Sequence, residues 1–304
     1  MKKIFINKYN KVRSGWKISI TLALYYVFGT VSISALFLAC TVYFAKTKFK
    51  NSPNAMLFNN IYNELLTNRI LNFISLAIAA LSMITAVLLV LKIIDKRKIK
   101  DIGLTSLGRY KSDFIIGLIL GAISITVIFV TLLLTGNITL KNDLLHPNFS
   151  VSVLLGLVIF ILVALNEEMF ARGYCMMVLQ QTDNKWLPLV VSSIIFTLMH
   201  GSNPNICFMG IINIFLVGIL FAVMRAKTGS LWMPIGYHIA WNFFLGIVFS
   251  FPVSGMALDG IYEIVVTENN LLTGGDFGPE GGILATIVIL AGLYYVQMLH
   301  KKTN

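Results

Sequence analysis

The run Val151-Ser-Val-Leu-Leu-Gly-Leu-Val-Ile-Phe-Ile-Leu-Val-Ala-Leu-Asn-Glu-Glu-Met-Phe-Ala-Arg-Gly173 decides how this chain folds. It holds no charge from Val151 to Leu165. Two adjacent carboxylates follow, Glu167 and Glu168, with Arg172 four residues after the second. Such a stretch reads as most of a membrane-crossing helix, which needs ~20 predominantly apolar residues. Ionisable groups in or at the end of such a helix are costly in hydrocarbon, so they are expected to serve a function and to have partners. On a helix, Glu168 and Arg172 share one face and can pair. Glu167 is rotated by about 100° from Glu168, so Arg172 cannot serve both equally. One carboxylate is thereby neutralised, and the other stays free to take and give protons, as a general base must. Taken alone, the cluster also fits an interfacial ion pair that ends the span. Other rare polar groups weigh against that reading.

Composition sets the frame around this run. Of 304 residues, 57% are hydrophobic and 12% charged, about half the ~25% charged share of a soluble domain. The expected fold is all-α, a polytopic membrane protein. Apolar runs able to cross a bilayer, ~17–25 residues each, lie near residues 18–44, 71–94, 114–134, 151–169, 187–200, 206–224, 233–251 and 283–299. That makes about eight spans, the fifth the shortest. With the N-terminus inside, nineteen of the 24 lysines and arginines fall on cytoplasmic segments, which places both termini in the cytoplasm. The net charge of +11 is thus explained by topology, and no nucleic-acid partner is expected. Residues 1–99 comprise the basic lead and the first two spans. Residues 100–252 form the core that carries the polar motifs, and residues 253–304 hold an acidic external loop and the last span. Cys40, Cys175 and Cys207 form no Cys-x-x-Cys and read as small core residues.

Three polar residues on later spans complete a constellation. His200 closes the fifth span, and His238 and Asn242 stand four residues apart on one face of the seventh. An imidazole and an amide inside an apolar helix need polar partners, and lipid offers none. Two carboxylates, two histidines and an asparagine on three helices can satisfy one another around a small wet cavity. Acyl transfer to water needs such a set: a base, an electrophilic stabiliser and exclusion of bulk solvent.

Glu167-Glu168-x-x-x-Arg172, then Phe196-x-x-x-His200, then His238-x-x-x-Asn242, in that order on successive spans, resemble the CAAX protease and bacteriocin-processing family. These are intramembrane proteases related to the type II CAAX prenyl endopeptidase. Asp101-Ile102-Gly103-Leu104, Ser192-Ser193 and Gly229-Ser230-Leu231-Trp232 are similar to that family's flanking context, so the resemblance covers roughly Ile102 to Phe249. It implies that Glu167 activates water with help from His200, that His238 and Asn242 hold the water or the oxyanion, and that Glu168 and Arg172 brace the site. The substrate it implies is a peptide bond of a membrane-associated or lipidated peptide or protein. Peptide maturation, bacteriocin self-immunity and CAAX-type trimming are the candidate roles.

Glu167, His200 and His238 are also the right ligand types for a catalytic zinc. The chain, however, has no His-Glu-x-x-His, so hydrolysis without a metal is the favoured expectation. There is no Gly-x-Ser-x-Gly either, and no cysteine is placed as a nucleophile. At ~1.5 Å per residue, Glu167 sits ~10 Å inside the cytoplasmic end of its span and His200 roughly 20 Å from Trp186. Tilt, or a late-starting fifth helix, has to bring them level. A non-catalytic immunity or scaffold protein is the alternative class. A transporter fits less well, because no internal repeat or paired helix break is visible. The Lys-, Ile- and Asn-rich composition fits a bacterial plasma membrane, with the bilayer as the protein's surroundings.

Overall fold

The computed structural model describes residues 5–7, 12–181, 184–258 and 260–299. Lys2, Lys3, Lys8 and Lys11 of the basic lead, Asp259 of the acidic loop, and Lys301 and Lys302 of the tail lie outside the described residues. The chain forms an all-α polytopic membrane protein in two compact units that meet in sequence between Lys96 and Arg97.

The first unit contains α1 (Ser14–Lys46), α2 (Asn54–Thr67) and α3 (Arg69–Ile93). The long helices α1 and α3 pack together, and a buried ion pair joins Lys17 near the start of α1 to Asp95 just past α3. The less apolar α2, which the span reading did not anticipate, is fastened to the end of α1 by Lys48 and Glu64.

The second unit contains α4 (Lys111–Leu134), α5 (Val151–Glu168), α6 (Met176–Leu179), α7 (Leu187–Met199), α8 (Phe208–Thr228), α9 (Trp232–Asn242) and α10 (Ile283–Leu299). Among the described residues five helices meet the length and apolarity of a crossing: α1, α3, α4 with its lead-in, α5 with its continuation, and α8. The other three expected spans are shorter: α7 has 13 residues, α10 has 17, and α9 has 11 before a π-helical turn extends it. Two short strands, β1 (Ile138–Leu140) and β2 (Ile264–Val266), pair antiparallel, with Ile138 opposite Val266. They lie in the loop after α4 and in the acidic loop before α10, so those two loops share one side, as the charge pattern requires.

Glycines set how closely α9 is held. A β-carbon at Gly236 would overlap the Phe114 carbonyl oxygen of α4, and one at Gly117 or Gly121 would overlap the carbonyl of Met233 or Tyr237. Small residues at such spacing let membrane helices approach backbone to backbone. Gly236→Val is therefore expected to destabilise the fold by roughly 2–3 kcal/mol, read as an earlier thermal transition in detergent. Gly29→Ala, whose new β-carbon meets nothing within 4 Å, is the control. Equal transitions for the two variants would contradict the close packing. The Asp101-Ile102-Gly103-Leu104 motif has a comparable reason. Gly103 adopts φ +92°, a left-handed conformation that favours glycine. Its carbonyl accepts from Leu231 N at 3.0 Å, and the Trp232 indole donates to Thr105 O at 2.8 Å, so this motif seats the start of α9.

Candidate active site

Two of the three sequence motifs lie where a helix changes its winding. After Glu168, α5 widens into a π-helical turn, Met169–Cys175, before α6. After Asn242, α9 widens into another, Phe243–Val248. Such turns are rare and concentrate at functional sites, because the wider winding re-aims neighbouring side chains. The fourth span therefore runs on past Met169 to Leu179. Glu167 lies about 18 Å from that end at ~1.5 Å per residue, not ~10 Å, which corrects the depth expected from the sequence.

The two carboxylates have different surroundings. Glu168 and Arg172 are both fully buried, and Arg172 Nη1 donates to Glu168 Oε1 at 2.9 Å. The guanidinium also donates from Nη2 to Gly218 O at 3.2 Å and lies 4.0 Å over the Phe196 ring and 5.1 Å over Phe221. Stacked guanidinium and charge-assisted hydrogen bonds are strongest in dry surroundings. Gly218 reaches this position because α7 presents Ser193 to it. A β-carbon there would stand 3.0 Å from the Ser193 side chain.

Glu168 has a second partner that spacing did not show. His238 Nδ1 is 3.2 Å from the same Oε1. A carboxylate only accepts, so Nδ1 carries a proton and the ring turns Nε2 outward. His200 is fixed likewise: its Nδ1 lies 2.8 Å from the Phe196 carbonyl, again turning Nε2 outward.

Both Nε2 atoms face one oxygen. Glu167 Oε2 is 3.8 Å from His200 Nε2 and 3.8 Å from His238 Nε2. That is too long for a direct hydrogen bond and suits one small molecule bonded to carboxylate and imidazole together. Glu167 Oε2, Glu168 Oε2 and Arg172 Nε are buried without a hydrogen-bond partner among the described residues. Asn242 stands one turn beyond His238, 6% exposed. The structure thus gathers Glu167, Glu168, Arg172, His200 and His238 at one place and sets Asn242 beside them. The short α7, starting at Leu187 and ending just before His200, brings His200 level with Glu167 despite its sequence distance from Trp186.

The zinc ligand types are present, but among the described residues no three His, Cys, Asp or Glu side chains are arranged to hold a metal ion.

A family model described as type II CAAX prenyl endopeptidase Rce1-like matches residues 149–244. Residues 149–244 are thus similar to that family. The match contains all seven named motif residues and bears out the resemblance read from them. A protein of Escherichia coli described as an uncharacterized 24.3 kDa protein is 33% identical over 85 residues, covering 27% of this chain. The aligned stretch spans 38% of that relative's length.

Outside the matched residues, the loop from Pro252 to Gly282 supplies residues that the motifs did not reveal. Glu280 accepts from the Trp241 indole at 2.9 Å and from Ser254 N at 2.6 Å. Burial raises its carboxyl above the ordinary range. The two N–H bonds and the charge of His200 and His238 pull it back. Phe277 packs with Ala171, Phe196 and Ile214. In the sequence this loop was marked only by its acidic residues, Glu280 among them, and by the absence of lysine and arginine.

Proposed function

We propose that the chain is an intramembrane endopeptidase of a bacterial plasma membrane, with both termini in the cytoplasm. The observation that carries this reading is Glu167 Oε2 facing the Nε2 atoms of two oriented imidazoles. Glu167 removes a proton from a water held between these groups, and the hydroxide adds to the scissile carbonyl. His238 and Asn242 face the oxyanion that forms, and His200 steadies the water. Glu167 then returns the proton to the departing amine, so the bond is hydrolysed with no covalent intermediate. Glu168 acts through His238, whose Nδ1–H it accepts, and Arg172 holds that carboxylate in place.

The substrate class is a membrane-associated or lipidated peptide or protein, because the base lies in the middle part of a membrane-crossing helix. Peptide maturation and bacteriocin self-immunity fit such a substrate better than prenyl-dependent trimming does. The test is cleavage of a panel of membrane-anchored peptides by the purified chain in proteoliposomes, with the products mapped by mass. One defined scissile bond, cut equally with and without a strong chelator, is expected. Activity lost in chelator and restored by zinc would overturn the metal-free step, and no cleavage across the panel would count against proteolysis.

A further inference from the structure

The loop from Pro252 to Gly282 is tied to the site chiefly by one residue. Both carboxylate oxygens of Glu280 are occupied, one by Trp241 Nε1 and one by Ser254 N. Its backbone carbonyl and that of Gly282 accept both amide hydrogens of Asn213 on α8, at 2.8 and 2.9 Å. Asn213 is 2% exposed, and Thr286 donates to its oxygen at 2.6 Å. Three residues before Glu280, Phe277 lies against Phe196, whose ring stacks on Arg172 and whose carbonyl orients His200. One residue after it, a β-carbon at Gly281 would be 2.8 Å from Cys207 Sγ, at the start of α8. The loop therefore rests on the connection that follows His200 and on the turn of α9 that places Trp241 next to Asn242.

We propose that Glu280 is a positioning residue of this site: it fastens the Pro252–Gly282 loop beside the imidazole pair and sets the turn of α9 that carries Asn242. The effect on turnover rests on the hydrolytic reading above, whereas the fastening rests on the hydrogen bonds alone. A buried indole N–H needs an acceptor, and a carboxylate is the one side chain that serves two N–H donors at full strength. Glutamine keeps the shape but turns an NH2 towards one of those donors. A site closed on this side holds its water and substrate away from bulk solvent.

The test uses the full chain in detergent. Maleimide labelling of Cys207, mapped by peptide mass to separate it from Cys40 and Cys175, reports how firmly the loop is seated. Glu280→Gln is expected to speed that labelling about tenfold, the scale of one lost charge-assisted hydrogen bond, and Trp241→Phe to speed it by less. With a cleavable peptide, Glu280→Gln is expected to lower kcat about tenfold with KM within about threefold. Gly281→Cys, oxidised to a disulfide with Cys207, should restore kcat in the Glu280→Gln background and leave the wild-type background active. Unchanged Cys207 labelling in Glu280→Gln overturns the proposal. So does faster labelling with unchanged kcat, and so does a staple that fails to rescue or that silences the wild-type background. If the wild-type chain cleaves nothing, the hydrolytic reading fails separately, and the labelling rates still support or overturn the fastening.

Discussion

Arg172→Leu is expected to lower stability by ~3–5 kcal/mol, the cost of removing one partner from a buried ion pair. The leucine would leave the Glu168 carboxylate, which has no exposed surface, to the hydrogen bond from His238. It would also abolish the donation to Gly218 O and the stacking between Phe196 and Phe221. Arg172→Lys retains the charge but cannot reproduce the planar fork, so it should fall between leucine and wild type. In the double variant Glu168→Gln with Arg172→Leu, the summed losses should exceed the measured loss, because neither partner is left charged. Thermal unfolding in detergent measures wild type, Arg172→Leu, Arg172→Lys, Glu168→Gln and the double variant. An Arg172→Leu transition indistinguishable from wild type would show that the pair is solvated and the site open.

Glu167→Gln is expected to lower kcat for peptide cleavage by roughly 10³-fold, within the range of a lost general base. Stability should move in the opposite direction or not at all. Glu167 Oε2 is a buried oxygen with no hydrogen-bond partner among the described residues, and neutralising it removes a desolvation cost. Inactivity with unchanged or raised thermal stability is the signature of a side chain kept for chemistry rather than for folding. Glu168→Gln should differ: it weakens the orientation of His238 and the Arg172 pair together, so activity and stability should fall in parallel.

Much of this arrangement was legible in the sequence because hydrocarbon leaves polar residues few roles. The i, i+4 spacing of Glu168 with Arg172, and of His238 with Asn242, placed each pair on one helix face. The scarcity of charge in the spans made every ionisable residue informative. The widened turns after Glu168 and Asn242 were not legible, since apolar residues such as Met169, Phe170, Phe243 and Phe244 suit ordinary and π-helical winding alike. The depth of Glu167 was misjudged for the same reason: Arg172 looked like the end of a span but is buried within one. The joint acceptance by Glu168 of Arg172 and His238 is a tertiary contact that no spacing encodes. Glu280 was hidden because a carboxylate in a long loop is ordinarily solvated, and only the fold brings Trp241 to it.

The most direct test of the central claim, that Glu167 between two imidazoles hydrolyses a peptide bond, is a matched turnover measurement. Wild-type and Glu167→Gln proteins, each shown to be folded, would be reconstituted in proteoliposomes with one membrane-anchored peptide. The appearance of both cleavage products would be followed by mass. The account predicts steady turnover by wild type and a Glu167→Gln rate roughly 10³-fold lower. A Glu167→Gln protein that cleaves the same bond at the wild-type rate would contradict it.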